Sequence, residues 1–190
     1  KIKFKMKKIS LLLLVVTLGL FTSCKEDKTQ PETEKTVAET AKKVKLKLES
    51  KSGSNVTGNA VFTEEDGQIK FTAMLSGLEP GTHAIHIHEK ADCSSDDGKS
   101  TGGHWNPTGA PHGKWGSKAG YHKGDIGNLE ADANGHATIM LKTDEWCIGC
   151  EDQNKDILGK AVIVHQGQDD FTSQPSGDAG ARVSCAGVIE

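Results

Sequence analysis

The chain has 190 residues, 35% of them hydrophobic and 26% charged, with 22 glycines and few aromatics (Phe 5, Trp 3, Tyr 1). That is enough apolar matter for one core, too balanced for a disordered chain and rich in turn-forming residues. A formal net charge of −3 argues against a general nucleic-acid binder, which would carry a basic excess. Eight histidines against a single arginine, Arg182, make imidazole the chemistry to follow, because it is the commonest metal ligand and carries protons near neutral pH.

Residues 1–23 read as a secretory signal. Lys7 and Lys8 follow Met6, the first candidate start, and an apolar run from Ile9 to Leu20 is too short for a stable membrane span. The run ends in Phe21-Thr22-Ser23-Cys24, similar to a bacterial lipobox with Cys24 as the lipidated residue; Phe21 departs from the usual aliphatic residue there. Losing residues 1–23 removes five lysines and no acids, which leaves 18 basic against 26 acidic residues, or −8. Residues 24–42, the lipidated cysteine and a Thr-, Glu- and Lys-rich stretch, read as a flexible tether. Lys25-Glu26-Asp27 resembles a surface-export signal of bacterial lipoproteins. The expected location is extracytoplasmic, anchored to a membrane by lipid in the periplasm or on the cell surface, where disulfides persist.

Period-two patterning starts near residue 43 and marks a domain over 43–190. Val44, Leu46 and Leu48 alternate with lysines, and strands follow at Asn55 to Phe62 and Ile69 to Leu75 around Glu65-Asp66-Gly67. A fourth strand covers Thr82 to Glu89. Residues 90–125 form a long loop, and long loops inside compact domains are usually functional. Strands resume at 127–132 and 136–142 around an Asn134-Gly135 turn, then at Leu158 to His165; after a second long loop, Arg182 to Ile189 closes the chain. Eight short strands and no convincing helix predict an all-β fold, an eight-stranded antiparallel Greek-key barrel or sandwich with two long functional loops.

His86-Ile87-His88 sets two imidazoles on one face of a strand, whereas His83 has the opposite parity and reads as a structural histidine. The long loop adds His104, His112, His122 and Asp125, a donor set that suits a closed four-coordinate metal site. His165 ends the apolar run Ala161-Val162-Ile163-Val164, and His136, beside a turn, reads as a bystander.

Five segments in order carry a resemblance: Gly81-Thr-His-Ala-Ile-His-Ile-His-Glu89, Gly102-Gly-His-Trp-Asn-Pro107, His122-Lys-Gly-Asp-Ile-Gly-Asn128, Val162-Ile-Val-His165 and Gly180-Ala-Arg-Val-Ser-Cys-Ala-Gly187. Together they closely resemble copper-zinc superoxide dismutase over residues 43–190. The resemblance implies one copper per subunit on His86, His88, His104 and His165. It implies one zinc on His104, His112, His122 and Asp125, with His104 bridging both metals. Asp169 matches the family's carboxylate linking His86 to His112, with Asp170 a neighbouring alternative. Arg182 stands where the family keeps the cation that attracts the substrate, so Arg182 and His104 are the expected catalytic residues. Lys99, Lys114, Lys118 and Lys123 are candidates for steering.

The resemblance also pairs Cys93 with Cys185. Cys147 and Cys150 lie outside the family pattern, and a local disulfide, a redox pair and a soft copper-handling pair stay open for them. The implied activity is dismutation of superoxide anion to dioxygen and hydrogen peroxide by a redox-cycling copper bridged to a structural zinc. The alternative is a dismutase-like protein that binds or delivers copper without turnover. Subunit association varies in the family, a homodimer being one of its states; nucleic acid is not an expected partner.

Overall fold

The computed structural model describes residues 41–189, so the expected signal, Cys24 and all but the last two residues of the expected tether lie outside the described residues. Eight strands follow one another: β1 (Lys42–Ser50), β2 (Thr57–Glu65), β3 (Gln68–Ser76), β4 (Gly81–His88), β5 (Gly127–Ala131), β6 (Ala137–Thr143), β7 (Ala161–His165) and β8 (Arg182–Gly187). They form one antiparallel sheet in the order β5-β4-β7-β8-β1-β2-β3-β6, and β5 lies against β6 so that the sheet nearly closes into a barrel. The all-β expectation holds.

Alternation sets the inside of this barrel. Val44, Leu46 and Leu48 point inward from β1 and pair in register with Phe62, Ala60 and Gly58 of β2. Phe62, Phe71 and Trp146 meet there, with ring centroids 4.7 to 6.4 Å apart. Each such side chain, fully removed from water, contributes about 1.5–3 kcal/mol. On the opposite wall Ile85, Ile87, Val162 and Val164 fill the interior, which turns His86 and His88 of β4 to the outside. A second small cluster, Ala161, Ile163 and Cys185, packs outside the barrel with Cys93.

Boundaries shift where turns take over. The β2–β3 connection is a two-residue hairpin, since Glu65 pairs with Gln68, and both Asp66 (φ 51°) and Gly67 (φ 69°) are left-handed. That is the turn geometry whose twist matches antiparallel strands, so β2 runs on to Glu65. β2 starts at Thr57 rather than Asn55, because Ser54 draws the chain into a turn, bonding the Val183 carbonyl and the Val56 amide. β7 starts at Ala161 rather than Leu158, since Lys160 N bonds back to Ile157 O and Gly159 has a positive φ of 78°. β8 stops at Gly187 rather than Ile189. One short 3-10 turn, Lys99–Thr101, was not expected from the sequence.

Candidate metal centre

The long loop returns to the end of β4. Trp105 N bonds Ile87 O (2.8 Å), Glu89 N bonds Gly103 O (3.1 Å), and Gly124 joins both segments through Ile87 N and Trp105 O (2.8 and 3.0 Å). His104 therefore stands beside His86 and His88. A β-bulge between Val164 and His165 sets His165 opposite Arg182 on β8 and brings both to the same place.

Two buried donor clusters result. His86, His88, His104 and His165 form one; His104, His112, His122 and Asp125 form the other, and within each cluster the ligating atoms lie within 4.8 Å of one another. His104 belongs to both. The ring nitrogens divide in a way that the chain itself imposes. Outer nitrogens are anchored: His86 Nε2 lies 2.9 Å from Asp169 Oδ2 and His112 Nε2 lies 2.9 Å from Asp169 Oδ1, His88 Nδ1 lies 3.0 Å from Gly102 O, and His165 Nδ1 lies 3.3 Å from Gly180 O. The inner nitrogens are His86 Nδ1 and the Nε2 atoms of His88, His104 and His165, buried and without hydrogen-bond partners. An anchored N–H fixes the tautomer and leaves the other nitrogen a lone pair aimed inward. Four such nitrogens make a site for a metal that imidazole suits, copper among them. In the second cluster, Asp125 lies 2.9 Å from His104 Nδ1, 3.0 Å from His112 Nδ1 and 3.3 Å from His122 Nδ1. Three nitrogens and a carboxylate match the closed tetrahedral donor sets of structural zinc sites.

Burial, followed by neighbouring imidazoles, holds His88 and His165 well below the usual histidine value, so both stay neutral. Burial takes His104 down to about 4 despite Asp125. His112 goes the other way, to about 9: burial opposes the shift, but Asp125 and Asp169 outweigh it. Both carboxyls lie well below the usual range; burial would raise them, and their histidine partners prevail.

Asp169, rather than Asp170, joins the two clusters. Asp169 is buried, whereas Asp170 is exposed and accepts bonds from Thr172 N and Ser173 N (each 2.8 Å). Asn128 pins the Asp169 backbone from both sides, at 2.8 and 2.9 Å. Gly177 (φ 70°) must lack a side chain, since a Cβ would collide with Asp169 and His112. The His83 ring lies between the carbonyls of His165 (3.1 Å from Nδ1) and Glu79 (2.8 Å from Nε2), a structural role as expected, and His136 is exposed near Asp132.

A cavity of about 650 Å³ opens over His88, His104 and His165, and half-buried Arg182 lines it. The Arg182 guanidinium donates to Gly98 O (2.9 Å) and Thr101 Oγ1 (3.0 Å), so the 3-10 turn aims it. Of the four lysines considered for steering, Lys99 lines this cavity, paired with Asp97 at 3.0 Å. Lys114 lies over Phe171 (5.9 Å) and Lys123 pairs with Glu145.

Cys93 is joined to Cys185, with Cα atoms 5.9 Å apart, which ties the first loop to β8 near Arg182. Cys147 and Cys150 are also joined. Sequence patterning did not reveal what surrounds that second bridge. Glu145 receives both the Tyr121 hydroxyl and the Lys123 ammonium, the neighbours of His122, and Trp146 Nε1 donates to Lys123 O at 2.8 Å. The segment before the bridge thus grips the loop that carries His122 and Asp125. No periodicity signals such a contact between distant loops.

The sequence profile of the family described as copper/zinc superoxide dismutase (SODC) matches residues 56–189. The superoxide dismutase-like protein YojM of Bacillus subtilis (strain 168) is 29% identical over 191 residues, 97% of each chain. A copper chaperone for superoxide dismutase from Rattus norvegicus is 35% identical over 121 residues, 60% of this chain and 41% of that protein, so the match spans under half of the chaperone. Among solved structures, a double mutant of a SOD-like protein from Bacillus subtilis superposes with a TM-score of 0.68 at 32% identity, over 77% of this chain and 97% of that one. Fold, profile and paired histidine clusters converge: the chain belongs to the copper/zinc superoxide dismutase family.

Proposed function

We propose that the chain dismutates superoxide at a centre holding copper on His86, His88, His104 and His165 and zinc on His104, His112, His122 and Asp125. The observation that carries this reading is the complete pair of clusters sharing His104 beneath a cavity lined by Arg182. When bound, copper supplies the one-electron cycle that oxidises one superoxide to dioxygen and reduces the next to peroxide, and zinc orders the loop around it. Arg182 attracts the small anion and orients it against the histidines, a fixed charge set before the reaction begins. Lys99 adds positive charge at the rim of the same cavity. His104, whose Nε2 faces the four-histidine cluster while Nδ1 faces Asp125, would hold one proton for the reduced product on Nε2 whenever that nitrogen is not bound to metal; the second would come from water. Asp169 keeps His86 and His112 in the orientation both clusters need. An extracytoplasmic location, with lipid on Cys24, belongs to the same reading.

The likeness to a copper chaperone favours a second reading, copper binding and delivery without turnover. Superoxide decay by purified protein loaded with copper and zinc separates the two. Decay well above that of matched free copper supports the enzyme. Stoichiometric metal binding with no added decay overturns it and leaves delivery standing.

A further inference from the structure

The outer face of β1, β2, β3 and β6, on the wall of the barrel away from the histidines, has a composition unlike the rest of the described residues. Its register lays out three rows: Lys43-Thr63-Lys70-Lys142, Lys45-Val61-Thr72-Met140 and Lys47-Asn59-Met74-Thr138. Five of these twelve positions are lysine and none is acidic, although residues 41–190 hold 15 basic and 21 acidic residues. Acids reach the face only at its rim, from Glu49 at one end and from Glu65 and Asp66 at the β2–β3 turn. Among the described residues only Lys47 of the five has a carboxylate in ion-pair reach, Glu49 at 3.7 Å, with both side chains largely exposed.

This arrangement works against the fold by itself. Lys70 and Lys142 stand directly opposite each other on neighbouring strands, and Lys43, Lys45 and Lys47 line one side of β1, so like charges repel across the face. A flat array of anions would relieve that repulsion. The two methionines of the domain, Met74 and Met140, lie on adjacent strands inside the lysine rows and are 53% and 66% exposed. Flexible apolar tips among cations suit the boundary between headgroups and acyl chains, where lysine stems lie on apolar matter and their ammonium groups reach phosphate. A groove of about 700 Å³ runs between Thr63, Lys70, Met140 and Lys142 and is lined also by Glu65 and Asp66 of the β2–β3 turn, so an anionic headgroup would meet it on the lysine side.

We propose that this face docks on an anionic phospholipid bilayer. Charge complementarity carries the proposal, and the path of the chain agrees with it: residues ahead of 41 enter the domain at the start of β1, whose lysines form one side of the face. Docked this way, the cavity over His88, His104 and Arg182 stays open on the opposite wall. The proposal does not depend on dismutation or on lipidation of Cys24; an anchor would only raise the local concentration of the face at the surface.

The test uses the chain from residue 24 onward carrying Cys24→Ser, so that no acyl group can attach. It measures co-sedimentation with vesicles of phosphatidylglycerol and phosphatidylcholine against phosphatidylcholine alone. Binding to the anionic vesicles only, lost on raising salt, is expected of a protein whose net charge would otherwise repel them. Lys70→Glu with Lys142→Glu should weaken partitioning by at least about tenfold. Lys90→Glu with Lys118→Glu, the same change in net charge elsewhere, should leave it nearly unchanged. Met74→Ser with Met140→Ser should weaken binding without altering its salt dependence. An unchanged thermal midpoint in each variant shows that folding is intact. Failure to bind anionic vesicles, or equal losses in both lysine pairs, overturns the proposal.

Discussion

Arg182 shows how one side chain acquires a role from its neighbours. It is the only arginine in the chain, and the two hydrogen bonds it donates to the Gly98–Thr101 turn point it into the cavity over the histidines. Replacing it with alanine should leave both metals bound and slow superoxide decay by about tenfold to a hundredfold, the range of electrostatic guidance. Metal analysis beside rapid-mixing kinetics checks this; copper loss would mean that the residue supports the ligands instead. Asp169 makes a sharper case, because one carboxylate orients a histidine in each cluster. Asp169→Asn should lower zinc affinity by about 10–100-fold in chelator competition, whereas Asp170→Asn should not change it. Equal effects would return the linking role to the pair.

At the scale of elements, the connection between β6 and β7 does more than join strands. Through Glu145 and Trp146 it holds Tyr121 and Lys123 on either side of His122, and the Cys147–Cys150 bridge closes the segment that follows. Glu145 lies below its ordinary value of 4.5: burial would raise it, but Lys123 and Tyr121 prevail. A depressed carboxyl contributes stability above its unfolded value and loses it as pH falls through the lower folded value. Metal-free protein should therefore lose thermal stability on acidification below about pH 4.5 more steeply than its Glu145→Gln variant. Parallel midpoint curves for the two proteins would show that the contact carries no charge-dependent stability. Burial also lifts Tyr121 to about 12, with Glu145 adding to it, so the phenol remains a donor throughout.

For the whole molecule, the barrel is a scaffold whose outside carries the chemistry. The Cys93–Cys185 bridge spans 92 residues and fastens the first long loop to β8, next to the strand that positions His165. Changing both cysteines to serine should cost about 2–5 kcal/mol, measured by denaturant unfolding of the metal-free protein. It should also loosen the turn that aims Arg182. The outer lysine face and the metal cavity occupy opposite walls, so docking and chemistry do not compete for the same surface.

The sequence by itself determined most of the barrel and named every member of the two donor clusters. Alternation on β1 and β3 is a local signal, and the His-x-His pair must share a face whatever the strand packs against. Matching motifs supplied the rest of the donor list. Strand ends at residues 55, 158 and 189 were misjudged, because turns at Ser54 and Gly159 and the end of pairing at Gly187 depend on hydrogen bonds between distant segments. Only the tertiary structure decided between Asp169 and Asp170, chose Lys99 as the lysine at the cavity, and joined Glu145 to the loop around His122. The five-lysine face likewise came from register, since its members lie on three strands and become neighbours only across the sheet. Periodicity reports which side of a strand a residue takes; which residue from elsewhere meets it there is set by packing.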